Sequence, residues 1–256
     1  MSELVHLEAT RLDGDPRRGL ATITLDSPHN RNALSRQLVT ELFGHLRAAA
    51  VDPAVKVVLL RSADRVFCSG ADLSEATADG MEEGARRIVE LQRLIATVPK
   101  PVVTEVSGAV RAGGIGIVAA SDVALAAEDA TFALTEVKLG LAAAIISLTV
   151  HHRMTPRAAA FTTLGGEVFS GADAAAYGLV TRAVPAGELG DTVATVCASL
   201  STGATQGLRE SKAILNRDLV AALDARGEEM AALSARLFAS EEAREAMTAF
   251  LERKKR

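Results

Sequence analysis

The chain has 256 residues, 48% hydrophobic and 23% charged, the balance of one large globular domain or of a large domain with a small appendage. A net charge of −4, scattered basic residues, no Trp and a single Tyr leave neither a basic face nor a stacking platform, so no nucleic-acid partner is expected. No apolar run reaches the roughly eighteen residues of a membrane span, MSELVHLEATRLDG has acids and no apolar signal core, and Cys68 and Cys197 suggest no disulfide framework, so the expectation is a cytoplasmic protein with no membrane partner.

In chain order, LATITLDSP alternates and is rich in β-formers, a strand stopped by Pro28. A helix follows, with Ser35 as N-cap and Pro53 closing it. VKVVLLRSA is a continuous apolar run of strand length, the pattern of a strand covered on both faces. RVFCSGAD reads as a loop, and MEEGARRIVELQRLIATV as a helix ended by Pro99 and Pro101. VVTEV is a buried strand, after which a small-residue helix is expected over about 114–121. Strands VALAA and TFAL flank the turn EDA, the chain turns helical from about 141, and a last strand lies near 179–184. From 186 onward the sequence reads as helices rich in Ala, Glu and Arg. Strands alternating with helices indicate an α/β protein with largely parallel strands and a helical C-terminal part.

Three stretches suggest chemistry. In RVFCSGADL, directly after a buried strand, a glycine among small residues lets backbone N–H groups point outward, and the Ala71 amide is placed to donate to an oxyanion. Alone, the stretch reads first as a plain strand-to-helix turn capped by Asp72. In SGAVRAGGIG the helix begins near Gly114, and its unpaired N–H groups and dipole favour negative charge, which makes the Gly113 amide a second donor. The same glycines also suit tight packing of that helix on the sheet. In TFALTEVKLGL, Glu136 leaves the strand beside Leu134, Val137 and Leu139. Lost solvation there raises a carboxyl pKa into the range of a usable acid/base, while a helix N-terminus offers it a plain structural role.

Several motifs are absent: a phosphate-binding G-x-x-x-x-G-K-[ST], the G-x-S-x-G elbow, H-E-x-x-H and C-x-x-C. The adjacent His151 and His152 point about 100° apart on a helix, a poor metal arrangement, and are read as surface residues. GGIG after a strand superficially suggests a dinucleotide loop, but Val110 stands where that loop needs glycine and the first strand runs into LDSPHNRNAL. No metal and no separate cofactor are expected.

ATITLDSPHNRNALSRQLVTEL, FCSGADL, GGIGIVAASDVALAAEDATFALTEVKLGL and LGGEVFSGADAAAYGLVTRAV, in this order and spacing, resemble the enoyl-CoA hydratase/isomerase (crotonase) superfamily over roughly 20–255. The resemblance implies a crotonase-like spiral of ββα turns holding the CoA and acyl site over residues 1–195. It implies a helical trimerisation region over 196–256, with assembly as a homotrimer or a hexamer built as a dimer of trimers. The implied substrate is an acyl thioester of coenzyme A, with its carbonyl oxygen between the amides of Ala71 and Gly113 and Glu136 as acid/base. The adenine end would lie against the loop around Ser69, Ala71 and Leu73, and Lys212 would reach toward a CoA phosphate.

One position departs from that pattern. Hydratases of the superfamily usually hold a water between two glutamates; Glu136 matches the second, and Gly116 stands in place of the first. Hydration with Glu136 as principal acid/base is the leading reading. It then requires a replacement carboxylate, for which Asp79, Glu82, Glu83 and Glu105 are candidates. A single glutamate instead resembles the family's Δ3,Δ2-enoyl-CoA isomerases, which move a proton between carbons without water. A third reading is an acyl-CoA-binding protein that does no chemistry. Arg111, where the family commonly has an apolar residue, is expected to meet Glu105, a carboxylated or otherwise polar acyl chain, solvent or a subunit neighbour.

Overall fold

The computed structural model describes residues 2–15, 17–72, 75 and 78–253. Among the described residues, ten strands form two sheets. The larger takes β1 (Val5–Arg11), β2 (Gly19–Leu25), β3 (Val55–Ser62), β5 (Val102–Val106), β7 (Val123–Ala127) and β10 (Arg182–Val184), in that spatial order. The smaller takes β4 (Val66–Cys68), β6 (Ala109–Arg111), β8 (Thr131–Ala133) and β9 (Phe169–Ser170). Successive units β3–β4, β5–β6 and β7–β8 each give one strand to each sheet, and helices α2 (Ala78–Thr97) and α3 (Gly113–Ala120) follow the first two units. This is the expected α/β spiral of ββα turns. β2, β3, β5, β7 and β10 run parallel, and the near-continuous burial of VKVVLLRS in β3 and VVTEV in β5 follows from cover on both faces.

Helix α1 (Arg36–Val51) starts where its cap predicts, with the Leu38 N–H donating to Ser35 Oγ at 3.2 Å. Its buried residues Leu38, Leu42, Leu46 and Ala49 recur at helical period. β1 carries no alternating apolar signal, since only Val5 of the strand is buried, and the sequence reading left it out. Backbone pairing with β2 holds it, and the Glu41 carboxylate accepts the Leu4 and Val5 N–H groups at 2.7 and 3.0 Å. β4, β6 and β9 span three, three and two residues, too few to show a period, so RVFCSGAD reads as a loop and β9 falls in a stretch that reads as helical.

After α4 (Ala144–Arg153), α5 (Pro156–Gly165) and α6 (Gly171–Ala176), the chain is helical from α7 (Leu189–Ser201) through α8 (Thr205–Leu215), α9 (Arg217–Phe238) and α10 (Glu241–Arg253). The division expected between residues 195 and 196 falls inside α7, whose Leu189, Val193 and Cys197 are buried in the main core. Lys212 is no candidate for a phosphate. It is buried, 2.7 Å from Asp122, and its ammonium donates to the carbonyls of Ile95 and Lys100. His151 and His152 are exposed on α4, as read from the sequence.

Candidate active site

The site is built on one edge of the smaller sheet. β4, β6 and β8 are parallel neighbours, and Cys68, Val110 and Phe132 occupy one register row. Each strand releases a candidate group just beyond that row: Ala71 after β4, Gly113 after β6 and Glu136 after β8. Residues far apart in sequence therefore emerge at the same carboxyl-terminal edge of three adjacent strands, the usual place for ligand groups in parallel sheets.

Ala71 forms an isolated parallel bridge with Leu34. The Leu34 N–H donates to the Gly70 carbonyl at 2.8 Å, so the bridge runs through the preceding residue and leaves the Ala71 N–H uncommitted. Gly113 is the first residue of α3, and its N–H is one of the unpaired donors of a helix start. Among the described residues none accepts a hydrogen bond from either amide. Both turns use left-handed backbone, which glycine adopts freely and which strains Ala112. Gly70 has φ +100° and Ala112 has φ +45°, where a side chain is disfavoured. A Cβ on Gly70 would stand 3.0 Å from that of Ala112, so the two turns abut.

Cys68 ties them together. Its Sγ accepts the Gly70 N–H at 3.4 Å and also accepts the Gly114 N–H. Burial pushes the thiol up to about 12, so the sulfur is a neutral acceptor and no nucleophile.

Glu136 lies in a 3-10 turn (Thr135–Leu139) after β8. The residue as a whole is partly exposed, yet its Oε2 is buried with no hydrogen-bond partner among the described residues. Burial raises its carboxyl above the ordinary range, opposed by its own backbone amide.

The space a glutamate at position 116 would need is filled. A Cβ on Gly116 would stand 2.5 Å from Ile146 Cγ2 and 2.9 Å from Gln92 Oε1. Gln92 is fully buried on α2. Its amide donates to the Ile88 and Ile145 carbonyls at 3.1 and 2.8 Å, and its oxygen accepts the Thr149 hydroxyl at 2.6 Å.

A cleft opens beside Ala71, walled by Leu34, Val39, Ile88, Ile145 and Phe238, with Arg87 also on its lining. Gly113 abuts this wall, since a Cβ there would meet Leu34 Cδ1 at 2.7 Å. Glu136 is not on the lining of the cleft.

The remaining candidates separate. Ser69 is spent on the fold: its hydroxyl donates to the Asn30 carbonyl at 3.0 Å and its N–H to the Arg31 carbonyl at 3.1 Å. Leu73 and the Asp79 side chain lie outside the described residues. Arg111 does not meet Glu105; its guanidinium donates to the Val110 and Thr131 carbonyls at 2.9 and 2.7 Å and to the Thr131 hydroxyl at 3.2 Å. Glu105 belongs to the main sheet, where burial raises its carboxyl, opposed by the charge of Arg61. Glu82 pairs with Arg86 on the exposed face of α2. Of the candidates with described side chains, Glu83 alone lines the cleft, 3.7 Å from Arg36. Sequence reading missed Cys68, Gln92 and Arg87, because their roles depend on partners from other elements.

Known proteins share this fold and sequence. A crystal structure of an enoyl-CoA hydratase from Mycobacterium avium superposes with a TM-score of 0.91 at 43% identity, covering 99% of this chain and 98% of that one. The 1,2-epoxyphenylacetyl-CoA isomerase of Escherichia coli K12 is 30% identical over 207 residues, 78% of this chain and 79% of its own length. The mitochondrial enoyl-CoA hydratase domain-containing protein 3 of Xenopus laevis is 34% identical over 189 residues, 72% of this chain and 63% of its own. The family described as Enoyl-CoA hydratase/isomerase matches residues 15–256, and the chain belongs to that family.

Proposed function

We propose that the protein is an enzyme that isomerises the double bond of an enoyl-CoA thioester, with Glu136 as its one acid/base. The thioester oxygen is taken by the N–H groups of Ala71 and Gly113. Their donation strengthens as that oxygen gains enolate charge, and one such donor is worth about 2.7–4 kcal/mol of transition-state stabilisation. Glu136 removes a proton from C2 of a 3-enoyl ester. The electron pair moves through C2 and C3 as the C3–C4 double bond opens, the oxyanion holds the charge, and the carboxyl returns the proton at C4. Nothing is gained or lost overall, no metal or separate cofactor is called for, and coenzyme A enters as part of the substrate.

The observation that favours this over hydration is the filled space at Gly116, where Gln92 and Ile146 stand in place of a second carboxylate. Hydration remains the second reading because Glu83 lines the cleft with Ala71. The separating experiment incubates wild type and Glu136→Gln with 2-enoyl- and 3-enoyl-CoA and follows absorbance and mass. Isomerisation is expected to convert the 3-enoyl ester without a change in mass, and to be lost in the variant. Addition of water to the 2-enoyl ester would establish hydration instead. Tight binding without turnover of either would leave an acyl-CoA-binding protein.

We further propose a homotrimer, or a hexamer built from two, acting in the cytoplasm. Phe161, Leu164 and Val168 are 61%, 75% and 59% exposed on and just after α5, and Ile214 and Leu215 are exposed at the end of α8, an apolar surface suited to self-association. Both cysteines are free and buried, in keeping with a reducing compartment. Sedimentation of wild type beside Leu164→Glu tests the assembly.

A further inference from the structure

We propose that Arg87 makes this site selective for acyl-CoA esters whose acyl chain carries a carboxylate. The inference rests on the acyl-CoA reading above and names the class of acyl group. Arg87 stands on α2 and lines the cleft together with Ala71. The next residue, Ile88, also lines it and comes within 3.8 Å of where a Cβ on Gly113 would sit. The cation therefore shares a wall with the place where the thioester oxygen is held.

Its present contacts fix it without neutralising it. Nη2 donates to the Thr40 hydroxyl at 3.0 Å, and Cζ lies 5.6 Å from the Phe43 ring centroid, a cation–π contact. Its Nε is buried with no hydrogen-bond partner among the described residues. That Nε is closed to a ligand, but Nη1 makes no hydrogen bond among the described residues and is not shut in, so it is the N–H that a ligand carboxylate can take. The cleft's acids are engaged elsewhere: Asp72 accepts the Asn30 amide at 2.9 Å, Glu75 accepts the Arg36 N–H at 2.8 Å, and Glu83 faces the Arg36 guanidinium at 3.7 Å. Among the described residues no carboxylate lies within ion-pair distance of Arg87. A guanidinium held by an aromatic ring and a hydroxyl, with an open N–H on a cleft whose acids already have partners, fits a carboxylate better than an alkyl tail.

The test is calorimetric binding, which needs no turnover. Succinyl-, glutaryl- and adipoyl-CoA are compared with butanoyl-, pentanoyl- and hexanoyl-CoA on wild type, Arg87→Met and Arg87→Lys. Wild type is expected to prefer the carboxylated ester at one chain length by about tenfold or more, the scale of a hydrogen bond to a charged group. Arg87→Met should lose that preference and bind the uncharged esters as before, and Arg87→Lys should retain part of it. Equal affinity for both series in wild type, or a preference that survives Arg87→Met, overturns the inference and leaves the acyl-CoA reading standing. Failure of every ester to bind overturns both. If Arg87→Met does not fold, the wild-type comparison and Arg87→Lys decide, and a preference unchanged by lysine overturns the proposal.

Discussion

The side-chain oxygen of Gln92 lies 2.9 Å from where a Cβ on Gly116 would begin, and the same oxygen accepts the Thr149 hydroxyl at 2.6 Å. A buried, fully bonded amide cannot step aside without leaving polar groups unpaired. Gly116→Ala is therefore expected to cost about 1–3 kcal/mol of stability, the usual range for overpacking. Gly116→Glu should lower the denaturation midpoint further and gain no hydration. Urea titrations of both variants, with a water-addition assay, check this; a stable Gly116→Glu that hydrates would show that the Gln92 plug yields.

Replacing Glu136 by Gln keeps its shape and removes its basicity. Loss of the acid/base should cost roughly 10²–10⁴ in kcat. Affinity for a saturated acyl-CoA should stay close to that of wild type, because the Ala71 and Gly113 amides are untouched. Turnover retained by the variant would assign the proton transfer to another group.

Burial holds the Glu136 carboxyl above its ordinary range, and activity and stability depend on it with opposite sign. A base must be ionised, so kcat should fall as the pH drops through the raised value. The fold favours the neutral acid, so the stability contribution is fully present below the unfolded carboxyl value and is lost as pH rises through the folded one. Glu136→Gln cannot ionise and should melt above wild type at about pH 8, with the gap closing toward about pH 4, below the ordinary glutamate value. Melting curves at the two pH values give the sign directly.

Cys68 should resist iodoacetamide in the native protein at neutral pH, since its thiol is buried and pushed up to about 12. Cys68→Ser keeps an acceptor for the Gly70 and Gly114 N–H groups. Cys68→Val leaves both unpaired, at about 1–3 kcal/mol for each buried group. Because those two residues adjoin Ala71 and Gly113, the valine variant should lower kcat more than it raises KM, while serine restores most of the rate. Thiol labelling followed by steady-state kinetics on the two variants tests both statements.

Local pattern was enough for much of this molecule. The apolar runs of β3, β5 and β7, the Ser35 cap of α1 and the strand ends releasing Ala71, Gly113 and Glu136 are legible because period, capping and turn chemistry act over a few neighbouring residues. Gly116 could be read as a missing carboxylate, but not as a filled space. That filling comes from Gln92 on α2 and Ile146 on α4, which meet it only once α2, α3 and α4 pack. Arg111 turned to the Thr131 carbonyl rather than to Glu105 because β6 and β8 are neighbours in one sheet while β5 lies in the other. Lys212, expected to reach toward a CoA phosphate, is instead enclosed by Asp122 and two carbonyls that come from other elements. The sequence by itself determined that the Ala71 and Gly113 backbone and the Glu136 carboxylate follow successive strand ends. The tertiary structure decided which side chains share the cleft, because desolvation, overpacking and unpaired donors arise from neighbours that no sequence spacing reports.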